Sequence, residues 1–395
     1  MNRIIASISI LIISSLTAME NADHVKPQAS IPLIFNDMPQ GVQAYLHALP
    51  KIPQGIYHTA GQKSKVITDY LLTMGGYEND VTGRHVLENK ILDAIEHGRP
   101  IQRCMPGFPV SSSNPEKLPY DDKHAFGLGD LVALLTRYHI SRELASIHQP
   151  GTTLDIYFEP YIYDMSHLCT DALDVPHCTQ ERIETYQHTL ADMVSHLEPY
   201  VGLGKIDQQQ YKNRYSCLDV DVDAQKMRYY QVFLREEFDN PALLEQAEHI
   251  KRYSLFTKYP FLAKAYGKID YSDAYKQKMN MVKTELSARK YLNEVADQVA
   301  ECVYVGSKQM ASYMEHEIPD YQQCVRESVN GDPNDVSKKI KTSMIYGAKG
   351  TPWHNVLAVK PDGVDLAPYK ELVKKGYKNI KYYTIGNHQL PYVEC

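Results

Sequence analysis

Apolar residues recur at helical spacing in several long stretches of this chain. In the stretch 84–97, Leu87, Ile91 and Ile95 fall on one face, and Gly98 provides a stop signal. A second long apolar pattern predicts a helix over 128–147. The same spacing predicts further helices over 179–197, 227–238, 241–250 and 274–313.

Shorter runs rich in β-branched and aromatic residues alternate with these helices. They predict strands at 152–158 and 215–220, at 321–325 and 338–346, and over 353–359. Helices and strands in alternation favour an α/β fold, namely a Rossmann-like, mostly parallel or mixed sheet with helices on both faces and a helical insertion. Residues 20–65 contain five prolines and are predicted to form an irregular arm, and 66–395 to form the α/β domain.

The first nineteen residues have the pattern of a secretory signal peptide. Arg3 supplies a positive charge, 4–16 are apolar apart from serine and alanine, and Thr17-Ala18 ends the run with small residues. The sequence therefore predicts a periplasmic or secreted protein that has no membrane association once the signal is cleaved. The alternative is a short buried N-terminal helix.

Composition and short motifs exclude several classes of function. The formal net charge is -6 and no basic run occurs, which argues against a nucleic-acid partner. Glycine-rich phosphate loops, Gly-x-Ser-x-Gly and His-Glu-x-x-His are absent from the sequence, so no cofactor, hydrolase or metalloprotease is indicated. His167, Cys169, His177 and Cys178 match no common zinc spacing, and no metal is predicted.

Seven cysteines allow at most three disulfides. Cys169 with Cys178 closes the shortest loop, and Cys302 with Cys324 would join the long helix to the strand after it. Both pairs are predictions from position along the chain.

Polar residues that follow or precede predicted strands are the candidates for chemistry. Arg326 follows the 321–325 run, His354 precedes an apolar segment, and a polar loop ends in Ser111, Ser112 and Asn114. Arg326 and His354 are expected to face one cleft together with this loop, since ligands gather at strand ends of α/β sheets. The alternative is that Trp353 and His354 serve only the core.

Three motifs in this order resemble the isonitrile synthase family of pyoverdine and paerucumarin type. The loop Phe108-Pro109-Val110-Ser111-Ser112-Ser113-Asn114 is similar to the family's Phe-Pro-x-Lys-Ser-x-Asn. The segment that starts at Arg326 and contains Ser328 is similar to Arg-Leu-Ser-Ile-His, and 351–354 reads Thr-Pro-Trp-His as the family does. The resemblance covers roughly 66–395.

The resemblance implies a reaction that converts the amino group of L-tyrosine or L-tryptophan to an isonitrile, with a carbon from ribulose 5-phosphate. Such secondary metabolism would use an aromatic amino acid and a sugar phosphate as small-molecule substrates. In this chain the resemblance makes His354 the acid/base and Asp164 an orienting carboxylate. Arg326 would hold an anion, and the other implied substrate-binding residues are Ser111, Ser112, Asn114 and Ser328.

Two departures from the family pattern leave the activity open. Ser111 stands where the family has lysine, and Asn330 stands where it has histidine. Neither replacement supplies the proton chemistry of the residue it replaces. The sequence is therefore compatible with a divergent synthase, with an exported non-catalytic binding or interaction protein on the same fold, and with an enzyme of different chemistry.

Overall fold

Two β-sheets form the framework of the protein. The computed structural model describes residues 32–78, 80–112, 114–158, 180–215, 218–239 and 285–395. The strands of the first sheet are β1 (Ile101–Pro106), β2 (Thr152–Tyr157), β3 (Val201–Leu203), β4 (Val325–Ser328) and β5 (Ile340–Lys341). Their order is β3-β2-β1-β4-β5, and every pair is parallel. This arrangement confirms the predicted α/β class.

The second sheet is built from the C-terminal part of the chain. Its strands are β6 (Val356–Lys360), β7 (Gly363–Ala367), β8 (Ile380–Ile385) and β9 (His388–Glu394), in the order β7-β6-β9-β8. The β6–β7 and β8–β9 pairs are antiparallel, whereas β6 and β9 run parallel. The second sheet is therefore mixed.

The helices carry most of the chain between the strands. They are α1 (Gln40–Ala48), α2 (Ala60–Gly75), α3 (Arg84–Glu96), α4 (Leu128–Ile147), α5 (Gln180–Ser195), α6 (Ala224–Phe238), α7 (Glu285–Glu317) and α8 (Tyr369–Lys374). None of these described helices is long and apolar enough to cross a bilayer. Helices α6 and α7 pack against each other, as expected for a helical insertion.

Helix α4 lies between the two sheets. It contacts β2 and β3 on one side and β6 and β9 on the other. Fifteen of its twenty residues are buried, including polar Asp130, Thr136 and Arg137. A helix that is enclosed on all sides must find partners for such groups inside the protein, because an unpaired buried polar group is costly.

The partner of Arg137 is a buried carboxylate on β4. Glu327 accepts hydrogen bonds from Arg103 of β1 (Nε–Oε1, 2.6 Å) and from Arg137 (Nη1–Oε2, 3.2 Å). Arg103 also donates to Ser141 Oγ at 2.8 Å, and Arg137 reaches the Thr342 hydroxyl after β5. All three charged side chains are almost completely buried. This network joins β1, β4 and α4 at one point.

Most predicted helices are confirmed, whereas several predicted strands are misplaced or shortened. Of the strand predicted at 321–325 only Val325 belongs to β4, because 321–324 forms turns, and of 338–346 only Ile340–Lys341 is a strand. The helix over 128–147 has the predicted bounds. The helix predicted over 84–97 and the strand predicted over 152–158 each end one residue earlier than predicted. The predicted strand at 215–220 does not form in its described part, because Tyr211–Tyr215 makes a helical turn and 218–220 has no regular structure. The segment 241–250 lies outside the described residues.

The arm is not irregular throughout. Helix α1 lies within it and packs against β6 and β7, and α2 begins at Ala60, before the predicted boundary at residue 66. Thr59 caps α2 in a capping box with Gln62, which explains a helix start at this position. Four of the five prolines, Pro32, Pro39, Pro50 and Pro53, lie among the described residues, and they stand in the connections around these helices.

The predicted Cys302–Cys324 disulfide is wrong. Cys104 and Cys324 are free thiols in one buried cluster with tyrosines and methionines. Cys324 immediately precedes β4 and its side chain is enclosed in this cluster. Cys169 and Cys178 lie outside the described residues.

Replacement of Glu327 tests whether its network holds the first sheet together. Glu327→Gln would leave two buried guanidinium groups without a counter-charge, so we expect the free energy of unfolding to fall by about 3–5 kcal/mol. Urea unfolding measures the change. The control is Glu116→Gln, which removes an exposed pair with Lys370 at 3.2 Å and should cost under about 1 kcal/mol. Equal losses in both variants would contradict the role assigned to Glu327.

Candidate functional site

The loop after β1 begins at the point where the strand order of the first sheet reverses. Strands β2 and β4 flank β1 on either side, so the carboxyl ends of β1 and β4 border a topological switch point, where ligands bind in many α/β proteins. Phe108 opens the loop in the left-handed region with φ of 54°, which is strained for a bulky residue. Its buried ring packs against Trp353 at 6.1 Å and holds this conformation.

Arg182 of α5 holds the backbone of this loop by hydrogen bonds. Its Nε donates to the Ser111 carbonyl at 3.1 Å, and its Nη2 donates to the Ser112 carbonyl at 2.8 Å. Nη2 also lies 3.3 Å from Ser111 Oγ, and Nη1 forms an ion pair with Asp122 at 3.1 Å. A fully buried guanidinium thus stands beside the serine that replaces the lysine of the resemblance.

Side chains that follow β1 form hydrogen bonds to a buried carboxylate, Glu237. Ser112 Oγ donates to its Oε2 at 2.5 Å, and Lys117 Nζ lies 2.5 Å from its Oε1. Asn114 Nδ2 donates weakly to the carbonyls of Glu236 (3.3 Å) and Glu237 (3.4 Å) at the end of α6. These contacts tie the loop to α6.

His354 completes this group from the segment that leads into β6. Its Nδ1 lies 3.2 Å from Glu237 Oε1, without the alignment of a hydrogen bond. The imidazole packs edge-on against Phe233 at 4.7 Å and keeps 25% of its side chain exposed. Because Nδ1 faces the carboxylate, Nε2 is the ring nitrogen directed away from it. We call Ser112, Asn114, Lys117, Glu237 and His354 the Glu237 cluster.

The electrostatics of the cluster favour the ionised carboxylate. Burial by itself would raise the pKa of Glu237, but the close contact of His354 and the hydrogen-bonded, charged Lys117 outweigh it and hold that pKa well below the ordinary range. A single buried negative charge therefore faces a lysine and a histidine. Such a set can hold an imidazole in a fixed orientation for proton transfer.

Asp130 is a second perturbed carboxyl near the loop. It accepts hydrogen bonds from the Gly127 N–H and the Tyr186 hydroxyl, both at 2.9 Å. Burial raises the pKa of Asp130 to about 7, despite the lowering effect of these bonds. Asp130 is the third residue of α4, and by accepting the Gly127 N–H it caps the start of that helix.

The structure brings together four of the predicted site residues. Ser112, Asn114 and His354 belong to the Glu237 cluster, and Ser111 contacts it through the loop, with its hydroxyl bonded to the Ala125 carbonyl. Ser328 lies at the end of β4, where its Oγ accepts from the Asn330 N–H at 3.2 Å. Asp164 lies outside the described residues.

Arg326 does not face the loop. Its guanidinium lies over the Tyr321 ring at 5.2 Å, and Nη1 is 3.3 Å from Glu315 of α7. Alternate residues of a strand point to opposite faces, and Glu327 occupies the face toward α4. The common cleft expected for Arg326 and His354 is therefore not formed.

Glu237, Lys117 and Arg182 are the residues of this site that sequence reasoning missed. Glu237 lies in a correctly predicted helix, but its partners are 117 to 125 positions away along the chain, so no local spacing marks it. Within the described residues, no group of three or more metal-ligating side chains occurs.

Glu237→Gln tests the buried charge of this cluster. We expect the free energy of unfolding at pH 7 to fall by about 1.5–3 kcal/mol, because hydrogen bonds to a charged group are lost. Glu236→Gln is the matched control: its neighbouring carboxylate is 66% exposed and lies 4.0 Å from Lys117, so the change should stay within about 0.5 kcal/mol.

The same pair of variants predicts a pH dependence. The pKa of Glu237 is lower in the folded than in the unfolded protein, so its contribution is present above the unfolded value and is lost as pH falls toward the folded value. The difference between wild type and Glu237→Gln should therefore shrink below about pH 4. A constant difference from pH 7 to pH 3 would show that the carboxylate is not the cause.

Comparisons with known proteins place these features in a family. Residues 91–380 match the family described as pyoverdine/dityrosine biosynthesis protein. Among solved structures, the PvcA protein from Pseudomonas aeruginosa is similar at 18% identity and a TM-score of 0.49, over 78% of this chain and 90% of that one. A search of curated proteins finds no match. The family match extends over nearly three quarters of the sequence, and the chain belongs to the pyoverdine/dityrosine biosynthesis protein family.

Proposed function

We propose that this protein is a divergent isonitrile synthase that acts on the amino group of L-tyrosine or L-tryptophan and takes its carbon from ribulose 5-phosphate. Family membership indicates a biosynthetic function of pyoverdine or isonitrile type. The observation that carries the finer proposal is the Glu237 cluster, which joins the Ser112–Asn114 loop and His354, two parts of the resemblance, around one buried carboxylate.

In this proposal His354 is the acid/base. Condensation of a substrate amine with the sugar ketone forms a C=N bond and expels water, so a group must protonate the departing hydroxyl and accept a proton from nitrogen. Histidine side chains exchange protons near neutral pH. Glu237 faces Nδ1 and orients the ring, which leaves Nε2 for the substrate.

Lys117 and Arg182 supply positive charge around the loop in place of the family's lysine. Arg182 contacts Ser111 directly, and Lys117 is paired with Glu237. An arginine holds anions but stays protonated, so it supports binding without imine chemistry. Asp164 remains proposed as an orienting carboxylate, and Ser328 as a substrate contact from the end of β4.

A second candidate is an exported binding or interaction protein without catalysis. The hydrogen bonds of the loop favour it, because Ser111, Ser112 and Asn114 all use their side chains for contacts within the protein. Asn330, at the family's histidine position, is exposed and its N–H bonds to Ser328. In that case the Glu237 cluster would contact a small molecule without converting it.

An activity assay separates the two candidates. Purified protein is incubated with tyrosine or tryptophan and ribulose 5-phosphate, and the isonitrile is sought by mass spectrometry. We expect product from wild type and a loss of at least about a hundredfold in His354→Gln, the usual size of an acid/base contribution. His388→Gln is the control, since His388 also pairs with a carboxylate, Asp192, at 2.8 Å but outside this cluster.

If the wild-type protein forms no product, binding measurements show whether it is a binding protein. Calorimetry with tyrosine that shows heat without product would support the binding protein. Product formation that is unchanged in His354→Gln would overturn the role of that residue. Absence of both product and binding, in protein shown to be folded, would overturn both candidates.

We also propose that the protein is exported. The support is the N-terminal charge, apolar run and Thr17-Ala18 ending in the sequence, which lie outside the described residues. We expect cleavage near Ala18 and recovery of the mature chain from the periplasm or medium. Intact-mass analysis of protein from its native host measures this, and a chain that retains Met1 in the cytoplasm would contradict it.

A further inference from the structure

Two buried thiols lie side by side in the first sheet, outside the Glu237 cluster. Cys104 belongs to β1, and its Cα lies opposite that of Arg326 on β4. Cys324 immediately precedes β4, two positions before Arg326. The two thiols form a hydrogen bond to each other, and each residue is 1% exposed. A disulfide requires two sulfur atoms to meet, and this contact already brings them together.

The surroundings of the two thiols differ on one side. Both belong to a buried cluster with tyrosines and methionines, most of them from β2 and α7. Cys324 also borders a recess between α3, β4 and the segment that leads into β5, whereas Cys104 does not line it. Cys324 is therefore the thiol nearer to a molecule that enters this recess.

Charged groups from several elements act on Cys324. The hydrogen bond from Cys104 lowers the pKa of Cys324, and the ammonium of Lys90 on α3 lowers it further. Lys90 Nζ donates to the Cys324 carbonyl at 3.1 Å, which fixes the ammonium beside this residue. Burial and the carboxylates of Asp155 and Asp320 oppose these effects, and the lowering prevails.

The effects on Cys104 have the opposite sign. The same hydrogen bond raises the pKa of Cys104, as expected for its donor, and burial and the charge of Cys324 raise it further. Arg326 lowers this pKa and Glu327 raises it, and both effects are smaller. One thiol is thus held in the protonated form and the other is favoured as a thiolate, and the thiolate is the nucleophile in disulfide exchange.

We propose that Cys104 and Cys324 are a redox-active dithiol, which a small-molecule disulfide entering the recess oxidises to an intramolecular disulfide. The Cys324 thiolate attacks one sulfur of the added disulfide, which gives a mixed disulfide and releases a thiolate. Cys104 passes its proton to that thiolate and attacks Cys324 Sγ, and this step expels the second thiolate. The second thiolate takes up the proton that Cys324 had lost, so two electrons and two protons pass from the protein to the added disulfide.

Oxidation would link β1 covalently to the start of β4. The new bond would close a loop of more than half of the chain, and such a bond stabilises a protein mainly by restricting its unfolded state. This inference does not depend on the function proposed for the Glu237 cluster, because that cluster contains neither cysteine.

Oxidation of the reduced full chain with hydroxyethyl disulfide tests the dithiol. We expect a non-reducing digest to yield a peptide pair that joins Cys104 to Cys324, and dithiothreitol to separate it again. Oxidation should also raise the urea midpoint of unfolding in wild type and not in Cys104→Ser. Failure to form this peptide pair, or equal changes of the midpoint in both proteins, would overturn the proposal.

Single variants test the order of attack. Cys104→Ser retains the attacking thiol without its partner, so the hydroxyethyl adduct should accumulate on Cys324. Addition to Cys104 in Cys324→Ser should be at least about tenfold slower, because the remaining thiol stays protonated and lies behind the recess. Equal rates of addition in the two variants would overturn the roles assigned to the two thiols.

Cys395→Ser is the control variant for both measurements. Cys395 is a free, partly exposed thiol outside the cluster that contains Cys104 and Cys324. Its replacement should leave formation of the Cys104–Cys324 bond as in wild type, and circular dichroism checks that every variant is folded. Loss of that bond in folded Cys395→Ser would contradict direct exchange between the two buried thiols.

Discussion

The neutralisation of two buried arginines by Glu327 is the interaction on which the rest of the structure depends. Arg103 and Arg137 come from a strand and a helix that have no other charged partner in this network. Glu327 brings them together and so fixes β4 beside β1 and α4 above both. Since β1 ends three residues after Arg103, this network also determines where the loop of the Glu237 cluster begins.

Two carboxylates in this protein have similar surroundings and different consequences. Each of Glu327 and Glu237 is buried between two basic side chains, and in each case the pKa of the carboxyl is lowered against the effect of burial. The partners of Glu327 are arginines, which are enclosed and stay charged. The partners of Glu237 are a lysine and a histidine that reach solvent in part, so only this second group can exchange protons with a ligand.

The local sequence pattern predicted the helices and strands whose formation depends mainly on neighbouring residues. The period of α4 and the β-branched run of β2 are visible in the sequence, and both form there. Strands β7 to β9 were missed because their exposed positions carry charged and polar residues. Arg326 and Glu327 show a further limit of prediction from sequence. The strand period puts their side chains on opposite faces of the sheet, but only the position of α4 decides which of the two is enclosed between sheet and helix. Glu237 was hidden for a related reason, because its burial depends on loops more than a hundred residues away.

The replacement of the family's lysine by Ser111 changes the kind of charge at the loop rather than its presence. Arg182 places a guanidinium within 3.3 Å of the Ser111 hydroxyl, so a positive charge remains next to this position. A lysine ammonium can lose its proton and attack a carbonyl, whereas a guanidinium does neither. Neither Ser111 nor Arg182 can therefore form an imine with a carbonyl group at this position. Under the proposed function the imine forms between the two substrates themselves, and His354, which is partly exposed, is the acid/base of the Glu237 cluster.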